Sequence, residues 1–189
     1  MHPNITSLTD IQLMMGVRDG EVGKLAPLFE RHHVKLYNYY VRLTGDRQLS
    51  EDMVQEVFLR IMKYRHTFRG EGQFTTWMFS IARNVQTDHW RRQRNDEPLI
   101  DPDEDIAADA FTGNESTADF MYDVSVLRDA LLRLSPEKRE ALILSRYEGM
   151  KYTEIAKISG CSVETVKSRV HRGIRELRTF FFQIAGERR

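Results

Sequence analysis

The stretch Tyr147–Leu177 decides the fold of this chain and reads YEGMKYTEIAKISGCSVETVKSRVHRGIREL. Its pattern predicts a short helix over residues 152–158, a corner, and a second, longer helix. Gly160 can adopt the positive φ that a tight corner between two helices needs. Ser162 offers a hydroxyl cap for the second helix, and Glu164 lies in its first turn, where the helix dipole favours an anion. The stretch therefore predicts a helix-turn-helix.

The second helix has two different faces. Apolar side chains recur at three- and four-residue steps and predict one buried stripe, formed by Val163, Val166, Val170, Ile174 and Leu177. The outward face carries hydroxyl, imidazole and cationic side chains, namely Thr165, Lys167, Ser168, His171, Arg172 and Arg175. Such groups reach base edges and phosphates in a DNA major groove. An amphipathic hairpin with a solvated basic face would show a similar pattern, but the small residues of the corner and the cap favour DNA binding.

Charge is unevenly distributed along the chain, although the formal net charge is zero. Residues 25–94 hold twelve basic and seven acidic side chains, and residues 125–189 hold fourteen and eight. Between them, residues 95–124 hold ten acidic side chains and no basic one. Two basic blocks separated by an acidic one predict two polyanion-binding modules joined by a solvated connector.

Several classes of protein are excluded by composition. Cys161 is the only cysteine, so the chain cannot have an internal disulfide framework. The six histidines form no metal-ligating pattern, and no metal or other cofactor is expected. The sequence has no apolar run of bilayer length and no signal-peptide pattern near the N-terminus, which predicts a cytoplasmic protein. No phosphate loop and no Ser/His/Asp order points to an enzyme.

The first half of the chain has helical periodicity throughout, over about residues 4–19, 22–43, 50–62 and 74–92. The third of these helices is expected to begin at an N-cap, Ser50. Beside its buried stripe it carries Asp52, Gln55, Glu56 and Leu59 at i, i+3, i+4 and i+7, which places them on one face. A leucine at the end of such a row suits an anchor for a partner protein, and equally a solvated face with one exposed leucine.

The region from residue 66 to residue 92 combines aromatic and basic side chains. A loop with two glycines carries Phe68 and Arg69 and ends at Phe74, where the fourth helix begins. The outer part of that helix carries Arg83, Asn84, Trp90, Arg91 and Arg92. Basic residues interleaved with aromatics suit single-stranded nucleic acid, where bases stack and phosphates pair. A helix with a solvated basic rim is the alternative interpretation.

Motifs in the first half resemble region 2 of the extracytoplasmic-function class (group 4) of bacterial sigma-70 family sigma factors. Asp52–Phe58 is similar to the D-x-x-Q-E-x-F motif of the helix that binds core RNA polymerase. Phe74–Asn84, with Asp88 and Arg91-Arg92 beyond it, is similar to the F-x-T-W-L-x-x-I-A-R-N run that recognises the promoter −10 element. Met78 stands where leucine is usual.

Motifs in the second half resemble region 4 of the same family, which reads the −35 element. They are Leu134–Pro136, Tyr152–Ala156 and Thr165–Arg169, and Ser159 departs from the pattern by replacing an apolar residue. The resemblance therefore covers nearly the whole chain. It implies an all-α protein with two small helical domains: region 2 over residues 1–94, an acidic flexible linker over 95–123, and region 4 over 124–189, with no further module expected.

The resemblance also implies partners and contact residues. Core RNA polymerase would bind Asp52, Gln55, Glu56 and Leu59. The −10 element would be recognised and melted by Phe68, Arg69, Phe74, Arg83, Asn84, Trp90, Arg91 and Arg92. The −35 element would meet Thr165, Lys167, Ser168, Arg169, His171, Arg172 and Arg175, with Arg169 and Arg175 holding phosphates. Promoter DNA is the other expected partner, and the sequence leaves open whether an anti-sigma factor also binds.

A stand-alone helix-turn-helix regulator, built like a response regulator, is the alternative function. Its receiver domain would need parallel strands with acidic residues at their ends, and the first half shows helical periodicity instead. The two classes differ in association, because a sigma factor should co-purify with core polymerase whereas a repressor should bind duplex DNA tightly alone.

Overall fold

The computed structural model describes residues 8–96 and 118–187, and across these ranges the chain is built from helices without strands, as predicted. The α-helices are α1 (Asp10–Arg18), α2 (Leu25–Thr44), α3 (Arg47–Lys63), α4 (Phe74–Asp96), α5 (Ala118–Leu132), α6 (Pro136–Leu142), α7 (Tyr152–Ser159) and α8 (Val163–Glu187). Short 3₁₀ turns at Val22–Lys24 and Arg65–Thr67 and a π-helical turn at Ile143–Tyr147 connect some of them. Within the described ranges, no helix is both long and apolar enough to cross a membrane. Most of the acidic segment falls outside them.

The N-terminal half packs α1–α4 around a core of apolar side chains at helical spacing. Leu36 and Tyr40 of α2, Val57 of α3 and Met78 of α4 are all buried there. The Tyr40 hydroxyl donates a hydrogen bond to the Ala82 carbonyl at 2.8 Å, so its polar end is satisfied inside the core. Burial of these apolar side chains leaves the opposite face of α3 toward solvent.

Helix α3 begins earlier than the sequence suggested. Gly45 ends α2 with a φ of 78°, and Asp46 follows at once as the N-cap, accepting a hydrogen bond from the Leu49 N–H at 3.0 Å. The prediction that Ser50 caps this helix is therefore wrong. Ser50 lies inside the first turn, is buried, and donates its hydroxyl to the Asp46 carbonyl.

The helix-turn-helix has the predicted local geometry. Gly160 ends α7 with a φ of 62°, and the N–H of Cys161 donates to the Ala156 carbonyl at 3.1 Å. The N–H of Thr165 donates to the Ser162 hydroxyl at 3.1 Å, which confirms the cap. Ile158 is buried, as expected from the polar residue that follows it.

In the predicted stripe of α8, Val166 and Val170 are buried, Val163 and Leu177 are partly buried against the core, and Ile174 is exposed. Ile174 is 41% exposed, and Gly173 is buried instead. A Cβ at residue 173 would lie 3.0 Å from Cδ1 of Leu142, so α6 approaches α8 where α8 has no side chain. This close approach, which helical spacing alone does not reveal, turns Ile174 outward.

The two ends of the C-terminal half pack together along α5 and the last turns of α8. Val126 and Ala130 of α5 form a small cluster with Ile184 of α8, and the Tyr122 hydroxyl donates to the Ala185 carbonyl at 3.3 Å. Helix α5 begins at Ala118 rather than near residue 124, so the last residues assigned to the linker are helical. Packing against α8 explains this extension, because helices gain most of their stability from tertiary contacts.

The two halves share a continuous core. The ring of Tyr39 in α2 contacts the ring of Phe79 in α4 edge to face, with centroids 5.1 Å apart. The Tyr39 hydroxyl donates to the carboxylate of Glu140 in α6 at 3.4 Å. Arg139 of α6 donates to the carbonyl of Leu43 at the end of α2. The Thr76 hydroxyl of α4 donates to Oε1 of Glu154 in α7 at 3.5 Å, so α4 also lies against the C-terminal half.

Candidate nucleic-acid interface

The predicted partner-binding residues form one solvent-facing row on α3, here called the acidic row: Asp52, Gln55, Glu56 and Leu59. Asp52 and Gln55 are exposed, and the side chain of Glu56 is partly exposed. Leu59 is 66% exposed, the highest fraction among the large apolar side chains that the structure describes. The opposite side of α3 is buried through Val57 and Ile61, so the row is free to meet a partner.

The loop between α3 and α4 does not present its aromatic rings. Phe68 is 2% exposed and Phe74 is 1% exposed, and both rings contact the ring of Trp77. The expectation that these two rings stack directly on DNA bases does not fit this arrangement, because neither has a free face. Arg69 is exposed beside Gly70, whose φ is 74°, so the loop presents a cation instead.

A polar pocket of about 270 Å³ opens between α3 and α4. It is called here the α3–α4 pocket, and it is lined by Arg60, Tyr64, Ile81, Asn84, Thr87, Asp88 and Arg91. Tyr64 is 40% exposed, and Nζ of Lys63 lies over its ring at 5.5 Å from the centroid. The pocket thus combines an aromatic wall with amide, hydroxyl and guanidinium donors, which is the chemistry that binds an unpaired nucleotide.

The charges of the pocket are connected by Arg60. Its Nε donates to Oε1 of Glu56 at 2.7 Å, and its Nη1 donates to Oδ2 of Asp88 at 2.6 Å. Oδ1 of Asp88 lies 3.6 Å from Nη1 of Arg91. Burial alone lowers the pKa of Arg60, but the hydrogen bonds to Glu56 and Asp88 outweigh it and raise that pKa above its ordinary value.

The basic and polar residues of α4 that were predicted to meet the −10 element lie on two faces. Asn84 is exposed and lines the pocket together with Arg91. Trp90 is partly exposed, and Arg92 is exposed. Arg83 faces the C-terminal half instead, with its Nε 3.2 Å from Oε1 of Glu140. The pocket and the exposed end of α4 are thus accessible, while Arg83 is already paired.

Glu140 is a buried carboxyl at the junction of the two halves. Only 5% of the residue is exposed. Burial raises the pKa of its carboxyl, and the neighbouring Arg83, Tyr39 and Arg169 oppose that rise. The carboxylate accepts hydrogen bonds from Arg83 and Tyr39, as a buried acid requires.

The basic face of α8 is largely open. Lys167, His171, Arg172 and Arg175 are exposed, and Thr165 and Ser168 are partly exposed. Thr165 and Ser162 share a hydrogen bond between their hydroxyls at 3.0 Å. Arg169 differs from the rest because it is partly buried and its Nη1 donates to Sγ of Cys161 at 3.6 Å. Five of the seven predicted −35 residues therefore lie together on one accessible side: Lys167, Ser168, His171, Arg172 and Arg175.

Sequence reasoning missed several residues of these surfaces. Arg60, Tyr64 and Glu140 were not singled out, although Glu56 and Arg60 are spaced for an i,i+4 ion pair. The contact between Arg60 and Asp88 joins two helices, and no periodicity within one helix could indicate it.

Comparisons with known proteins identify the family. Residues 28–95 match the family model of sigma-70 region 2, and residues 125–177 match the model of sigma-70 region 4. The class that the fold and these surfaces define is therefore that of the sigma-70-type transcription initiation factors.

Similar proteins of known name assign the chain to one group within this class. The sigma factor CarQ of Myxococcus xanthus is 32% identical over 164 residues, covering 85% of this chain and 91% of its own. The ECF RNA polymerase sigma factor SigL of Mycobacterium tuberculosis is also 32% identical over 164 residues, covering 86% and 92%. This chain belongs to the extracytoplasmic-function (ECF) RNA polymerase sigma factors, and its function is that of a sigma factor.

Two solved structures share the fold. Sigma factor RpoE of Bartonella quintana, solved with the anti-sigma factor NepR, aligns with a TM-score of 0.67 and 24% identity over 82% of this chain and 94% of its own. CnrH, solved with the cytosolic domain of CnrY, aligns with a TM-score of 0.70 and 21% identity over 92% and 97%. At these identities the likeness concerns the fold alone.

Proposed function

We propose that this chain works in the cytoplasm as a non-enzymatic initiation factor, binding core RNA polymerase through the acidic row. The observation that supports this most directly is the exposure of Leu59, at 66%, among acidic and amide side chains on a helix whose other side is core. Exposed apolar side chains within a polar frame are typical of protein interfaces. Residues 1–94 would form the polymerase and −10 module, and residues 124–189 the −35 module.

The −10 strand would be held by the α3–α4 pocket and the exposed end of α4. Tyr64 would stack on an extruded base, and Asn84 and Thr87 would bond to its edge. Arg91, Arg92 and Arg69 would contact phosphates, and Phe68 and Phe74 would support the loop from the core.

The −35 duplex would be read by α8. Lys167, Ser168, His171 and Arg172 would enter the major groove, and Arg175 would hold a phosphate beside it. Two halves that each carry one DNA surface suit a protein that positions polymerase on two promoter elements. An anti-sigma protein that covers the acidic row would block this activity, and such a partner is part of the proposal.

Transcription from a randomised promoter library with purified core polymerase tests this function. We expect specific transcripts only when both proteins are present, and a selected promoter with two separated sequence elements. Leu59→Ala should reduce transcription at limiting core polymerase. Val34→Ala, which shortens another exposed apolar side chain on α2, is the matched control. Tight binding of the free protein to duplex DNA without association with core polymerase would instead establish a stand-alone regulator.

A further inference from the structure

We propose that Arg60 is a positioning residue that couples the polymerase-binding row to the α3–α4 pocket by neutralising and orienting Asp88. This inference rests on the proposed function of that pocket. Arg60 itself need not touch polymerase or DNA. Its role follows from its place between Glu56, which belongs to the acidic row, and Asp88, which lines the pocket.

The geometry of the guanidinium fixes both contacts at once. One edge of Arg60 meets Glu56 through Nε, and Nη1 meets Asp88, at 2.7 and 2.6 Å. The Arg60 side chain is only 17% exposed, so solvent screens these ion pairs less than it screens pairs on an open surface. Because the guanidinium is planar, holding Nε on Glu56 also sets the direction of Nη1. Glu56 therefore orients Nη1 of Arg60, which donates the hydrogen bond that Asp88 accepts.

Without a cation beside it, the carboxylate of Asp88 would repel the phosphates of a strand bound in the pocket. It is the one carboxylate among the pocket-lining residues, and a DNA strand brings phosphates toward the same donors. Arg60 bonds directly to one Asp88 oxygen, while Arg91 lies 3.6 Å from the other and is itself 69% exposed. Neutralisation of Asp88 thus depends mainly on Arg60, which leaves Arg91 available to a phosphate.

The test is a double-mutant cycle on holoenzyme formed at saturating core polymerase. Its readout is the affinity for a single-stranded oligonucleotide that covers the −10 region of a promoter selected with the wild-type holoenzyme. Arg60→Gln should weaken that affinity about five- to tenfold and reduce its salt dependence by about one counterion, because Asp88 then keeps only Arg91 as a partner and makes Arg91 less available to a phosphate. Asp88→Asn in the Arg60→Gln background should restore most of the affinity.

A second part of the experiment tests the coupling to the acidic row. Glu56→Gln should weaken strand binding in the wild-type background, because it releases Nε of Arg60, and should have no further effect after Arg60→Gln. Arg60→Lys keeps the positive charge, so it should restore the salt dependence of strand binding. A lysine ammonium cannot hold both carboxylates through one plane, so Glu56→Gln should have no effect on strand binding in the Arg60→Lys background.

A merely structural role would give a different pattern. If Arg60 only packs α3 against α4, the double variant Arg60→Gln/Asp88→Asn should bind the strand no better than Arg60→Gln, and that result would overturn the inference. The variants Asn84→Ala and Arg91→Ala test separately whether the α3–α4 pocket binds the strand. If both bind the strand like the wild type, the pocket assignment and the role of Arg60 fall together. If they weaken binding while the double variant is not rescued, only the role of Arg60 is refuted.

Discussion

The guanidinium of Arg83 on α4 pairs with the buried carboxylate of Glu140 on α6, with Nε of Arg83 3.2 Å from Oε1 of Glu140. The pair connects the region 2 and region 4 matches, because Arg83 belongs to the first and Glu140 to the second. Arg83 therefore carries a contact between the two halves in this structure, in addition to any role it has on DNA.

Substitutions at Glu140 should separate its hydrogen bonding from its charge. Glu140→Ala leaves the donors of Arg83 and Tyr39 without their acceptor and should cost about 1–3 kcal/mol of unfolding free energy. Glu140→Gln keeps an oxygen acceptor and should be nearly neutral at pH 7. Urea unfolding of both variants against the wild type measures the difference.

The pH dependence of stability should report the raised pKa of Glu140. The folded-state pKa lies above the unfolded value, so the folded protein binds a proton more readily, and stability gained from this group increases as pH falls through the folded pKa. The gain is complete below the unfolded pKa, near 4.5. The wild type should therefore gain stability relative to Glu140→Gln between pH 7 and pH 4.5. An unchanged difference over that range would contradict the assignment.

Charge reversal at Asp52 and truncation of Leu59 in the acidic row should each weaken polymerase binding without unfolding the protein. Asp52→Lys and Leu59→Ala change exposed side chains, so the far-ultraviolet circular dichroism should stay constant. Each should cost about 1–2 kcal/mol of binding free energy if its residue anchors the interface. Fluorescence titration with core polymerase measures this loss, with Val34→Ala as the control. Wild-type affinity in both variants would refute the proposed surface.

Two glycines of α8 should respond in opposite directions to alanine. Gly173→Ala brings a Cβ to 3.0 Å from Leu142, which is buried, so the crowding should outweigh the gain in helix propensity and lower stability by about 1 kcal/mol. Gly186→Ala meets no atom within 4 Å and should raise stability by up to about 1 kcal/mol. Thermal unfolding of the two variants checks the sign at each position.

Arg172 and Arg175 should have different roles on promoter DNA: we expect Arg172 to read a base pair and Arg175 to contact a phosphate. Arg172→Ala should cost about 1–3 kcal/mol, concentrated on one base pair of the −35 element. Arg175→Ala should weaken all sequences alike and lower the salt dependence by about one counterion. Binding of the holoenzyme to promoters with each −35 base changed in turn, at two salt concentrations, measures both. Uniform loss for both variants would mean that this part of α8 contacts only the backbone.

Local sequence signals predicted what depends on neighbouring residues in the chain. The corner at Gly160, the cap at Ser162 and the exposed row ending at Leu59 follow from backbone preference and helical spacing, and all are present. The start of α3 was misplaced because Asp46 and Ser50 are both good caps, and the end of α2 decides between them.

Contacts between helices could not be predicted in this way. Burial of Phe68 depends on the position of Trp77, and the charge network of Arg60 depends on how α3 crosses α4. Pairing of Arg83 with Glu140 requires the two halves to meet. Each of these features changes which side chains are accessible, and the family motif alone could not indicate that.

The length of α8 gives the C-terminal half a mechanical property. Its 25 residues form a rod of about 37 Å, with the predicted −35 residues toward one end and Ile184 packed against α5 at the other. Helix α5 is also where the described chain resumes after the acidic segment. We expect a tilt of α5 to change the angle of the other end of α8, so side chains far from the predicted −35 residues, such as Tyr122 and Val126, would influence how those residues meet DNA.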